Sequence, residues 1–294
     1  MIKVASLHFD NIFKKAFGDA AVFQAFARAA FGVDFKFDRI HEDYRYRQRV
    51  AGVDLAYDLF AEDEDTRSIV EMHHRQTSEF KDRYLYYHLV GLVEQVPSHR
   101  DYRFKRTVYT IVILTDRRKS PGHDFAVATS TMNPVTDQGE TLAFYPHRLV
   151  FMIPQNAAAQ PPERSELTPW LRLIDDSLDE RVDETAYSES ALQRVIEQIR
   201  AENLTPEDHE AMRRTIAEED LLKDDGRAEG RVEGRAEGRV EERRANVLAL
   251  LRTLPPESVA TAMGLDLSYV LGLHAEGHGI SDSPGSRSAP PLDE

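Results

Sequence analysis

Cysteine is absent from the 294 residues. This excludes a disulfide framework, a thiolate metal site and a thiol nucleophile, and it fits a reducing compartment. Long apolar runs are missing too. No stretch approaches the roughly 18 residues of a membrane span, and Met1–Asp10 lacks the pattern of a secretory leader. The expectation is a cytoplasmic chain with no membrane partner. Positive charge is in short supply: 37 Lys and Arg stand against 51 Asp and Glu, a net charge of −14. Such a balance argues at first against a nucleic-acid partner. The deficit is uneven, however. Residues 1–120 carry 20 basic and 18 acidic residues, whereas 121–294 carry 17 and 33. A local basic face therefore remains open to the N-terminal part.

With 41% hydrophobic and 30% charged residues, the chain can bury a core in one or two domains. The segment 9–32 spaces Phe13, Phe17, Phe23, Phe26 and Phe31 at helical intervals, which predicts two helices broken near Gly18. Alternation predicts a strand over 35–50, then two strands over 52–74 around the acidic turn 61–66. An amphipathic helix follows over 78–96, with Phe80, Tyr84, Tyr87 and Val90/Gly91 in one stripe. "RTVYTIVILTD" (106–116) is apolar almost throughout, as a strand covered on both faces would be. Residues 141–153 supply one or two more strands. The order α-β-β-β-α-β-β indicates an α/β fold with a mixed sheet flanked by helices. The expected organisation is a domain at 1–155, a linker at 156–168 and a helical region at 169–225. A repeat helix with a small helical module at 226–273 and a disordered tail at 274–294 complete it.

Strand alternation singles out charges where burial is expected. In "GVDLAYDL" it groups Asp54, Ala56 and Asp58 against Val53, Leu55, Tyr57 and Leu59. In "SIVEMHH" it groups Ile69, Glu71 and His73 against Val70, Met72 and His74. If the strands are neighbours, Asp54 and Glu71 can converge. Two buried like charges repel and are costly to desolvate. A hard cation such as Mg²⁺ or Mn²⁺ would relieve both costs and serve phosphodiester chemistry. The alternative is an exposed Asp54 with Glu71 paired to Arg75 or Arg83.

The segments "FDNIFKKAFG" (9–18), "VDLAYDL" (53–59), "IVEMH" (69–73) and "RYLYYHLV" (83–90) together resemble the PD-(D/E)XK nuclease superfamily. In particular they resemble its branch of Rpn recombination-promoting nucleases, also labelled transposases. The likeness reaches about Leu273, taking in "TPWLRL" and "MRRTIAEEDLLKDDG". It implies a restriction-endonuclease-like core followed by an α-helical region, and metal-dependent cleavage of DNA. It further implies that Asp54 and Glu71 hold the metal, with Asp10 near it as an acidic ligand. Lys14, Lys15, Arg75 and Arg83 would contact DNA. The family pattern asks for Lys or Gln where this chain has His73. That position either keeps a catalytic role as an imidazole or marks a degenerate site serving DNA binding or assembly.

Glycines at 226, 230, 234 and 238 punctuate a Gly-Arg-x-Glu repeat in which like charges fall four apart. Within the repeat no Glu–Arg pair sits at helix-neighbour spacing, and each glycine costs about 1 kcal/mol in a helix. Either another helix packs on the glycine stripe, making a homo-oligomer through the C-terminal helices, or the segment is a charged spacer. "PPESVATAMGLDLSYVLGL" (255–273) has helix-turn-helix offsets but no basic residue for a recognition helix. It reads as a packing module.

Overall fold

The computed structural model describes residues 1–45, 55–74, 80–96, 102–116, 124–159 and 166–277, with side chains at 222–237 left out. Asp54, Arg75 and the tail beyond Gly277 lie outside these residues. The chain forms two compact units, Met1–Thr215 and Ile216–Glu294.

The first unit opens with β1 (Ile2–Lys3), α1 (Asp10–Phe17) and α2 (Ala20–Phe31). The break between the helices falls at Gly18, as the sequence predicts. Asp19 explains the restart: its Oδ1 accepts the N–H groups of Ala21 (2.9 Å) and Val22 (3.1 Å), capping orphan donors of the new helix. Gly32, at φ 68°, ends α2 in the left-handed conformation. Then come β2 (His41–Arg45), β3 (Ala56–Glu62), β4 (Thr66–His73), α3 (Phe80–Val93), β5 (Thr107–Leu114), β6 (Val127–Thr131) and β7 (Arg148–Met152). Only 41–45 of the strand expected at 35–50 is extended among the described residues. Phe35 and Phe37 instead fill the core. Residues 141–153 provide β7 alone. β6 was not foreseen, because "VATST" is a polar edge strand without an apolar face.

Six strands make one mixed sheet in the order β2-β3-β4-β5-β7-β6. β4, β5 and β7 run parallel, and the other neighbouring pairs are antiparallel. One face carries Leu59, Ala61, Val70, Ile111, Ile113, Val150 and Met152. Against it lie α1, α2, α4 (Thr168–Ser177) and α5 (Ser190–Ile199), with Trp170 packed on Phe17 and Phe26. A short β8 (Arg181–Val182) pairs with β1. The other face carries Ile69, Val108, Val112 and Leu114 beneath α3. The helix settles closely because Gly91 meets the sheet: a Cβ there would lie 2.9 Å from Ile69 Cδ1.

α6 (Pro206–Leu250) runs unbroken through the Gly-Arg-x-Glu repeat. In the second unit, α7 (Pro256–Met263) and α8 (Leu267–Gly277) join at Gly264, whose φ is 61°. Val247, Val259, Ala260, Val270 and Leu273 form their small core. No described helix is long and apolar enough to cross a membrane.

Candidate active site

The β3–β4 ladder runs from Glu62↔Arg67 to Leu59↔Val70 and stops there. The next opposed residues are Asp58 and Glu71. Each lends a carboxylate oxygen to the other strand in place of a carbonyl: Glu71 Oε1 accepts the Asp58 N–H at 3.1 Å, and Asp58 Oδ2 accepts the Met72 N–H at 2.9 Å. Buried backbone donors must be paired. The acidic side chains do this at the point where the strands part.

The irregularity extends to β2. Pairing with β3 holds at Glu42↔Leu59 and Tyr44↔Tyr57 but skips Asp43, which falls opposite Asp58 at φ 49°. The alternation of faces also shifts. Tyr57 and Phe60 both pack in the α3-side core, while Leu59 and Ala61 pack in the other. The simple period-two grouping of Tyr57 with Leu59 therefore does not survive. The grouping of Ile69, Glu71 and His73 does: Ile69 packs under α3 and His73 meets the α3 residue Tyr84 edge-on at 5.5 Å.

Glu71 is only 1% exposed. Its carboxyl is pushed well above its usual pKa, first by burial and then by the charge of Asp58. Asp58 is raised to about 6, chiefly by burial and further by Asp10, against the pull of the Met72 N–H, Lys14 and Arg83. His73 is lowered to about 4 by burial and by neighbouring Arg83 and His74, so it is neutral at pH 7. Its Nε2 is buried with no hydrogen-bond partner. Arg83 spreads its guanidinium over the Tyr84 and Tyr87 rings, 5.7 and 5.2 Å from the centroids, and donates Nε–H to the Tyr87 hydroxyl.

Lys14, 7% exposed, reaches Asp10 Oδ2 and Asp43 Oδ1, each at 2.6 Å. Burial opposes its charge, but these two bonds together with the charges of Asp10 and Asp58 hold its pKa above the ordinary lysine value. Lys15 turns away to Asp208 Oδ2 (2.6 Å) and the Asn203 carbonyl (3.2 Å). His74 faces the other way, stacking on His8 at 4.4 Å.

Of the residues singled out from sequence, the fold thus gathers Asp10, Lys14, Glu71, His73 and Arg83, and leaves Lys15 aside. Among the described residues, Asp58 is the aspartate that meets Glu71. From sequence that place falls to Asp54, which lies outside the described residues; Asp58 shares its face in the strand pattern. Asp43 had no signal.

The donor set fits a divalent cation. Among the described residues Asp58 Oδ1 and Glu71 Oε2 carry no hydrogen bond, both carboxylates are penalised when charged, and the orphaned His73 Nε2 lies on the same strand face as Glu71. A mixed sheet sandwiched by helices, with acidic residues meeting at the parting of two antiparallel strands, is a nuclease fold of the PD-(D/E)XK kind. The model of the PD-(D/E)XK nuclease family transposases matches residues 10–221, and the chain belongs to that family. No curated protein and no solved structure matches it significantly.

Proposed function

We propose that the protein is a metal-dependent DNA endonuclease in which Asp58 and Glu71 hold Mg²⁺ or Mn²⁺. The observation that carries this reading is the pair of opposed carboxylates, buried Glu71 and half-buried Asp58, each keeping one oxygen free of hydrogen bonds among the described residues. When bound, the ion supplies Lewis acidity and a water acidic enough to act as a nucleophile near neutral pH. Asp58 and Glu71 keep their negative charge directed at one place because the partner strand's N–H groups fix one oxygen of each. Asp10 adds negative charge at the rim. His73, neutral at pH 7, can accept or give one proton at Nε2 to a water beside Glu71. Arg83, braced on two tyrosine rings, presents its terminal nitrogens to backbone phosphate. Lys15 would reach DNA only by giving up Asp208. We assign self-association to the C-terminal helices, where the glycine stripe of α6 would admit a close neighbour.

Incubating purified protein with supercoiled plasmid and Mg²⁺ or Mn²⁺ tests the assignment. Nicking or linearisation is expected from the parent and not from Asp58→Ala or Glu71→Ala. Intact plasmid across metals, or full activity in either variant, refutes it. One observation favours a second reading, a catalytically degenerate nuclease fold acting in DNA binding or assembly: a neutral imidazole stands where the family pattern has Lys or Gln. Calorimetry separates the two, since the degenerate protein would bind DNA but take up no metal. Light scattering with and without residues 226–243 tests the assembly role.

A further inference from the structure

We infer that Lys14 is a catalytic residue, the cation that meets the negative charge developing on the phosphate under attack, and that Asp43 positions it. This rests on the endonuclease reading. Attack on a phosphodiester concentrates negative charge on the phosphoryl oxygens, and a site rich in carboxylates repels it unless fixed cations are aimed there. Asp10, Asp43, Asp58 and Glu71 make this cluster acidic. Lys14 is the buried ammonium of the cluster, and its charge is felt at both Asp58 and Glu71.

The geometry is that of an aimed group rather than a surface ion pair. An ammonium has three donors. Asp10 and Asp43 take two of them at 2.6 Å each, leaving one to point at substrate. Asp43 is otherwise hard to account for. It is a non-glycine residue at φ 49° in the middle of an edge strand, it drops out of the register opposite Asp58, and its side chain is largely exposed apart from the bond to Lys14. A left-handed residue inside a strand persists only where its surroundings impose it. Here it turns the carboxylate inward onto Lys14.

The test uses the full chain, end-labelled duplex DNA and Mn²⁺, comparing the parent with Lys14→Met, Lys14→Arg and Asp43→Asn. Lys14→Met is expected to lower kcat by about 10²–10³-fold with little change in KM. Its Mn²⁺ affinity by calorimetry should hold or tighten, because a competing cation is gone. Lys14→Arg should recover part of kcat, and Asp43→Asn should lower kcat by about tenfold without weakening Mn²⁺ binding. Parental kcat in Lys14→Met, or a loss confined to KM, overturns the inference. If Lys14→Met does not fold, Asp43→Asn decides: an unchanged kcat overturns it. A parent that cuts while Lys14→Met cuts equally sinks this inference alone, whereas a parent that never cuts sinks the endonuclease reading and this with it.

Discussion

Replacing Asp58 by asparagine should make the metal-free protein more stable while removing its grip on a divalent cation. The asparagine Oδ1 can still accept the Met72 N–H, now 2.9 Å from Asp58 Oδ2, so packing and backbone pairing are kept. What disappears is a charge that the fold penalises. The Asp58 carboxyl moves from 3.8 to about 6 on folding, which at 1.36 kcal/mol per pKa unit is about 3 kcal/mol. The sign follows from proton counting. Below pH 3.8 both folded and unfolded chains hold the proton, and the charge costs nothing. Between 3.8 and 6 the unfolded chain releases it and the folded chain keeps it, so the parent loses stability as pH rises. Above 6 the loss is complete. The asparagine variant does not titrate there. Its advantage should therefore be near zero at pH 3.5, grow across that window and level off above it. At pH 7.5, with chelator present, the gain corresponds to a Tm rise on the order of 5–10 °C for a unit of this size. Thermal melts at several pH values measure it. Adding Mn²⁺ should raise the parent's Tm and leave the variant's unmoved. A variant less stable than the parent at pH 7.5, or an advantage that ignores pH, would show that Asp58 is comfortably ionised and would refute the electrostatic account of the site.

Cleavage by the parent should increase as pH rises through about 6, because Asp58, and Glu71 whose carboxyl burial also pushes up, must lose their protons to hold a cation; a rate flat from pH 5 to 8 would contradict this. Arg83→Ala should weaken DNA binding and reduce the slope of log affinity against log salt by about one, measured by fluorescence anisotropy at several salt concentrations. Gly91→Ala places a methyl 2.9 Å from Ile69 Cδ1 and should cost about 1–3 kcal/mol by overpacking, read from urea unfolding; an unchanged midpoint would mean that α3 lifts off freely.

Periodicity and order were enough to reveal much of this chain. The two phenylalanine-rich helices, the paired strands around the acidic turn, the tyrosine stripe of α3 and the doubly covered β5 all follow from local patterns of burial, and such patterns are written directly in residue spacing. Glu71 and His73 were legible for the same reason. Residues with a role that depends on distant partners were not. β6 is a strand because β7 offers it an edge, not because "VATST" demands one. Lys14 looks like any lysine on a helix surface until β2 brings Asp43 to it. The meeting of Asp58 with Glu71 depends on where two strands separate and on a left-handed residue in a third. That is a property of three segments held together, 13 or more residues apart, and no alternation within one of them encodes it.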